Sequence, residues 1–301
     1  MLFAALRILL VFLLLAPLAR AENVALVLSE NSGPYAEFST TFREAIEGGS
    51  WKVSSQGSAD ALDSTGERPD LIVAVGSQAF RQVLARGGQI PVLATLIPRL
   101  PYEKLVAENT SRGRRISGIW LDQPAARLAS FLRLLLPGKN RIGLLTSNQT
   151  RLQVSQFRQA FSAAGLIVDS EDSDTEQTLL PSLNTLLSRV NVLLAIPDAS
   201  IYQRDNIKSI LITSYRYQRP VIAFSPAFVK AGALAALYST PAQMAHQSAD
   251  LIHTYGIALP PAMAPSQFAV TINQNVAQAF DLKLQDEADI RRALLADKEA
   301  R

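Results

Sequence analysis

Apolar residues along this chain come in short unbroken bursts. Each burst meets small polar residues at its end and is followed by a stretch in which apolar positions recur with a helical period. A run that is apolar on both pleated faces marks a strand buried between layers, as in parallel sheets whose crossover helices cover both sides. The clearest case is 141–147, with the loop Asn148-Gln149-Thr150 behind it and a helical pattern over 152–163. The same design occurs at 24–29, continues through Asn31-Ser32-Gly33 and enters a helical pattern over 35–46. Two such starts, one near the front and one at mid-chain, predict two α/β lobes facing each other. Ligands of such sheets sit beyond the carboxyl ends of the strands, near helix N-termini, so the expected site lies between the lobes.

The rest of the pattern fills in both lobes. In the first, further strands are expected at 51–54, 70–76 and 91–97, the last closed by Pro98 and Pro101. Residues 60–68 read as a loop or short helix. A helix over 78–86 begins just after Ser77 and ends at Gly87-Gly88. The strand 116–121 leaves this lobe. Asp122 is the expected N-cap of the next helix, with Pro124 in its first turn and Pro137-Gly138 as its stop. In the second lobe strands are expected at 166–169, 191–198, 220–226, 233–238 and 267–273. Helices are expected near 179–189, over 205–215 and over 241–255, the last with Thr240 as cap and Pro241 at N1. The charged tail 286–301 is expected to cover a surface. Alternation of this kind means parallel strands joined by right-handed crossovers.

Composition changes the picture in three places. At 301 residues, 48% hydrophobic and 18% charged, the chain is a packed globular one with room for two domains. Residues 1–21 carry Arg7, an apolar core over 8–16, Pro17 and then Ala19-Arg20-Ala21, the pattern of an export signal cleaved before Glu22. The core is short for a bilayer span, so an uncleaved anchor is the lesser alternative, and no later apolar run approaches spanning length. There is no cysteine, which excludes a lipid anchor on cysteine, disulfides and thiolate metal sites. The mature protein is therefore expected in the periplasm, not lipid-anchored. Setting aside Arg7 and Arg20 lowers the formal net charge from +3 to +1, which gives no basic face for nucleic acid. The cluster Arg112-Gly113-Arg114-Arg115 reads as a solvated loop.

The candidate chemistry is capture. Ser29, Ser77, Ser147 and Ser225 stand at the carboxyl ends of expected strands, with Thr95 and Asn148 close to such ends. Their side chains can hydrogen-bond a small polar ligand, or simply cap a helix or loop. Asp198, after Ile196-Pro197, can pair with a ligand ammonium or cap the helix behind it; Asp122 reads as a cap. Tyr35 and Phe228 can stack on a ligand or belong to the core. Catalysis has no support: there is no nucleophile elbow, phosphate loop or dinucleotide fingerprint, and the paired carboxylates sit in polar stretches. His246 and His253, seven apart on one helix face, do not make a metal site. No cofactor, no metal and a monomer are expected.

Taken together, the motifs resemble a known family. They are Arg68-Pro69-Asp70-Leu71-Ile72-Val73-Ala74-Val75-Gly76-Ser77, Ile90-Pro91-Val92, Ile116-Ser117-Gly118-Ile119, and Leu134-Leu135-Leu136-Pro137 before Arg141-Ile142-Gly143-Leu144-Leu145. Arg219-Pro220-Val221, Gly232-Ala233-Leu234-Ala235 and Ile272-Asn273 with Ala277 follow. In order and spacing the mature chain resembles the TrpX-like substrate-binding proteins of ABC transporters. The resemblance implies a type I periplasmic-binding fold, with Rossmann-like lobes of 22–120 plus 240–264 and of 121–239 plus 265–301. It implies three inter-lobe crossings, at 116–121, at 233–238 and around Pro265. It further implies an amino-acid-like ligand in the cleft and a membrane permease as partner. Two positions depart from the family: Ile97-Pro98-Arg99 stands where an Asp-Pro pair is usual, and Ser239-Thr240-Pro241 where an acidic residue is usual. The alternative is a periplasmic sensor or envelope-complex accessory that keeps the fold without transport.

Overall fold

A computed structural model describes residues 22–47, 49–63, 68–109 and 113–297. The expected export signal, Arg112 and the end of the tail lie outside the described residues. The first unit contains β1 (Glu22–Leu28), α1 (Gly33–Ile46), β2 (Trp51–Gly57), β3 (Leu71–Val75), α2 (Ser77–Arg86), β4 (Val92–Ile97), α3 (Arg99–Ala107) and β5 (Ile116–Trp120). Its sheet is parallel throughout, in the order β2-β1-β3-β4-β5.

Strand alternation divides the core of this sheet in two. Val24, Leu26 and Leu28 of β1 pack with Phe38, Phe42 and Ile46 of α1, while Ala25 and Val27 pack on the opposite face with Phe80, Val83 and Tyr102. This is why the run has no polar position: both faces are covered.

The second unit contains α4 (Ala125–Leu135), β6 (Arg141–Thr146), α5 (Val154–Ala163), β7 (Ile167–Asp172), α6 (Glu176–Leu187), β8 (Val192–Leu194), α7 (Arg204–Arg216), β9 (Val221–Ala223), α8 (Pro226–Ala231) and β10 (Ala235–Tyr238). It is completed after α9 (Pro241–Tyr255) by β11 (Ala269–Ile272), α10 (Gln274–Ala279) and α11 (Glu287–Ala296). The strand order is β11-β10-β9-β8-β6-β7, parallel except for β11, which runs antiparallel to β10. Helix α9 does not pack on this sheet. Its Met244, Ala245, Ala249 and Ile252 close the α1 face of the first sheet. The tail does cover a surface, through Ile290 and Leu294 of α11, with Asp286 as its cap. Thr240 caps α9 in a capping box with Gln243, behind Pro241 at N1, as expected.

Pro98 closes β4 at Ile97, as expected, and the chain turns at once into α3, while the cap role expected of Asp122 falls on a different helix. Pro98 is the N-cap of α3 and Pro101 its third residue, where a missing N–H removes no intrahelical bond. Asp122 caps this helix and not the next: its Oδ2 accepts the Arg99 N–H at 2.6 Å, while Pro124 occupies the N-cap position of α4. The basic loop is also more than solvated surface, because half-buried Arg114 donates to the carbonyls of Val83 and Ile90.

The chain passes between the units after β5, after β10 and near Pro265. A buried polar clasp ties these passages together. Gln123 donates to Ser239 Oγ at 2.9 Å, and Ser239 donates to the Gln267 carbonyl at 2.6 Å. Arg127 donates to Gln123 Oε1 at 2.8 Å and to the Pro265 carbonyl at 2.9 Å, its guanidinium 4.8 Å above the Phe268 ring. Beside the first passage, Met263 pairs along β5, donating to the Gly118 carbonyl and accepting from Trp120.

Candidate functional site

A cavity of about 540 Å3 opens between the two sheets. From the first unit its wall takes Pro34, Tyr35 and Glu37 at the start of α1, Leu96 and Pro98 at the end of β4, and Leu121–Gln123 on the first passage. From the second it takes Leu128, Phe157, the ends of β8 and β9 with Ser225, and Leu237, Tyr238 and Ser239. The lining is mainly aliphatic and aromatic with a few polar groups, the composition of a small-molecule site. Leu96 stands at φ 50, in the left-handed region, at a register shift between Thr95 and Ile97. Backbone strain of this kind costs about 1–3 kcal/mol and concentrates at ligand sites. Here it turns the end of β4 into the cleft wall.

Asp122 brings a carboxyl to this wall. Burial pushes its carboxyl up to about 6; the Arg99 amide bond, its own amide and the Arg99 charge pull the other way without prevailing. Tyr35 is likewise pushed up by burial, with Glu30 adding to it, so its phenol stays protonated. Gln123 and Ser239 belong to the clasp, and the Tyr238 hydroxyl pairs with Thr271 Oγ1 at 3.0 Å. No Lys, Arg or His lines the cavity among the described residues.

Of the nine residues singled out in the sequence, Tyr35 and Ser225 line the cavity. Ser225 also caps α8, accepting the Phe228 N–H. The other seven stand elsewhere. Ser29 Oγ donates to the Val75 carbonyl and accepts the Ala79 N–H, so it caps α2 from the neighbouring strand. Gly76, the residue before α2, has φ 92, and a Cβ there would lie 2.5 Å from that same Oγ. Ser77 is the first residue of α2. Thr95 is wholly buried, its hydroxyl without a partner. Asn148 is exposed, its N–H donating to Asp174.

Ser147 and Asp198 are not in the cavity lining and bond to each other. Both are buried. Asp198 Oδ2 accepts from the Ser147 N–H and Oγ and from Thr150 Oγ1, while Oδ1 accepts the Ser200 and Ile201 N–H groups. That pattern pins two loops and leaves no acceptor for an ammonium. Phe228 is core, edge-on to Tyr202 and Phe224 and 2% exposed.

The lining that sequence reasoning missed is mostly Leu96, Phe157, Ile196, Phe224, Leu237 and Tyr238. Apolar residues just past strand ends carry the same signal as core, so hydroxyls drew the attention instead. The departure at Ile97-Pro98-Arg99 held the better clue: where the strand end lacks a carboxylate, Asp122 on the adjacent passage brings one to the cleft. Among the described residues no cluster of His, Asp and Glu has the grouping of a metal site. No helix there is long and apolar enough to cross a membrane.

The family model described as ABC transporter substrate binding protein matches residues 53–292. Comparison with curated proteins finds no match. Among solved structures, the chain is similar to an ABC domain from Streptococcus pneumonia in complex with L-Trp, at TM-score 0.62 and 17% identity over 90% of this chain and 98% of that one. It is similar to a conserved domain protein from Vibrio cholerae, at TM-score 0.63 and 15% identity over 90% and 98%. It is also similar to the ligand-free, open structure of a substrate-binding protein with adhesive properties from Clostridium difficile, at TM-score 0.67 and 15% identity over 88% and 96%. At these identities the likeness shows the fold: two α/β lobes with three crossings, the type I periplasmic-binding architecture.

Proposed function

The chain belongs to the ABC transporter substrate-binding protein family, and on that premise we propose that it captures a small amino-acid-like ligand between its lobes and presents it to a membrane permease. The observation that carries this reading is the cavity of about 540 Å3 at the carboxyl ends of both sheets, walled by both units and apolar enough to shed water. A ligand held there touches both lobes at once, so its binding energy favours the closed arrangement over the open one. The moving bodies are 22–120 with 240–264 and 121–239 with 265–301, turning about the three passages. The family binds substrates and is not an enzyme class.

Residues 1–21 act as a cleaved export signal in this reading, and the mature protein works outside the cytoplasm as a monomer without a lipid anchor. An open cavity free of plugging side chains supports capture over a role as sensor or envelope accessory that has lost its ligand.

The test is a thermal-shift screen of the mature protein across a broad small-metabolite panel, with small-angle scattering on each hit. Capture requires a stabilising ligand and a more closed shape in its presence. A blank panel together with a single unchanging shape refutes it.

A further inference from the structure

The walls of the cleft are asymmetric in charge. Asp122 and, at the start of α1, Glu37 both line it, while no Lys, Arg or His does among the described residues. Arg99, whose charge does act on Asp122, is not in this lining: its Nε pairs with Glu103 Oε1 at 2.6 Å, its guanidinium donates to Gln156 Oε1 and lies 5.1 Å over the Trp120 ring. The Asp122 carboxyl accepts the Arg99 amide and its own amide; a carboxylate has about four acceptor positions, so acceptor capacity remains. Four rings from both units line the same cavity, Tyr35, Phe157, Phe224 and Tyr238. Aromatic faces attract cations and repel anions, and they do so more strongly where water is excluded.

We propose that the cleft selects its ligand by an amine: an ammonium seated against Asp122 and Glu37, on an apolar body held between the aromatic rings. This rests on the reading of the cleft as the capture site and narrows it. A ligand carboxylate finds no cationic side chain here and is not required. Glu37 is exposed at the rim and acts mainly in attraction, whereas Asp122 makes the contact.

One indole series tests it: tryptamine, tryptophol, indole-3-propionate and L-tryptophan, each titrated calorimetrically into the mature protein. Tryptamine is expected to bind at least about tenfold more tightly than tryptophol, the worth of one charge-assisted hydrogen bond, with indole-3-propionate weakest. In Asp122→Asn the advantage of tryptamine over tryptophol falls to within about threefold, while tryptophol itself changes little because its apolar burial is kept. Glu37→Gln loses a smaller part of the advantage, and that part fades with added salt. Binding of indole-3-propionate as tight as that of tryptamine overturns the proposal. So does an advantage that survives both substitutions together. Binding of L-tryptophan without tryptamine removes the amine rule and leaves capture standing. Silence from all four removes the amine rule as well, whereas capture falls only with a blank metabolite panel.

Discussion

Arg127→Met is the sharpest probe of how the lobes are joined. The guanidinium is buried and donates to Gln123 Oε1 and to the Pro265 carbonyl, so it clamps the first passage to the third. Burial penalises its charge and pulls its pKa down, so the pair of bonds is made against a desolvation cost. Hydrogen bonds from a charged donor are worth about 1.5–3 kcal/mol each, and methionine leaves both acceptors buried without that donor. Relief of the guanidinium's own desolvation offsets part of this, which leaves a net loss of about 3 kcal/mol. In a chain of this size that is about 6–10 °C in Tm. The assay is urea unfolding at neutral pH with scattering alongside, and Arg133→Met as control, since Arg133 is exposed on the same helix. The control should stay within about 0.5 kcal/mol. Arg127→Met should also broaden the distribution of lobe separations. A stability change no larger than the control's, with an unaltered scattering profile, refutes the clasp as a structural tie.

Three more outcomes follow from the packing and the charges. Gly118→Ala puts a Cβ 2.7 Å from the Tyr102 ring and 3.1 Å from the Ala94 carbonyl, and Tyr102 is itself stacked on Phe80. The ring cannot move freely, so a loss of about 2–3 kcal/mol is expected on urea unfolding, and a loss under about 0.5 kcal/mol contradicts it. Asp122, at about 6 in the fold against 3.8 ordinarily, makes the native state bind an extra proton between those values. Its contribution therefore falls by about 3 kcal/mol as pH rises from about 4 to about 6 and stays low above. Asp122→Asn should remove that slope, and parallel stability curves for the two proteins over pH 4–7 count against it. Asp198→Ala strips the acceptor from five donors and should cost about 3–5 kcal/mol while leaving the affinity of the folded protein for any cleft ligand unchanged. A specific loss of affinity would return Asp198 to the site.

Runs such as 24–28 and 142–145 gave away the sheets because burial on both faces leaves no polar position within them. The cap at Thr240 was equally plain, since a cap is a local bargain between neighbours in sequence. Asp122 and Ser29 were not. Each satisfies a helix that begins far from it along the chain, a pairing only the folded backbone creates. The same non-locality hid the cleft. Ser147 and Asp198 are ideal ligand groups until the fold sets them within 2.8 Å of each other, and Phe224 or Leu237 looks like core until the opposite wall is known to stand away from it.

Helix α9 is made late yet completes what is made early. The α1 face of the first sheet, with Phe38, Phe42 and Val73, has no lid until Met244 and Ile252 have been synthesised. The α1 face of the first lobe is therefore completed only by a segment that lies well over a hundred residues further along the chain. If residues 1–21 export the chain as proposed, the delay is useful, because the segment that completes the first lobe lies far along the sequence from the strands it covers. Moving residues 240–264 to the front of the chain by circular permutation would let the first lobe seal early, at the expense of export.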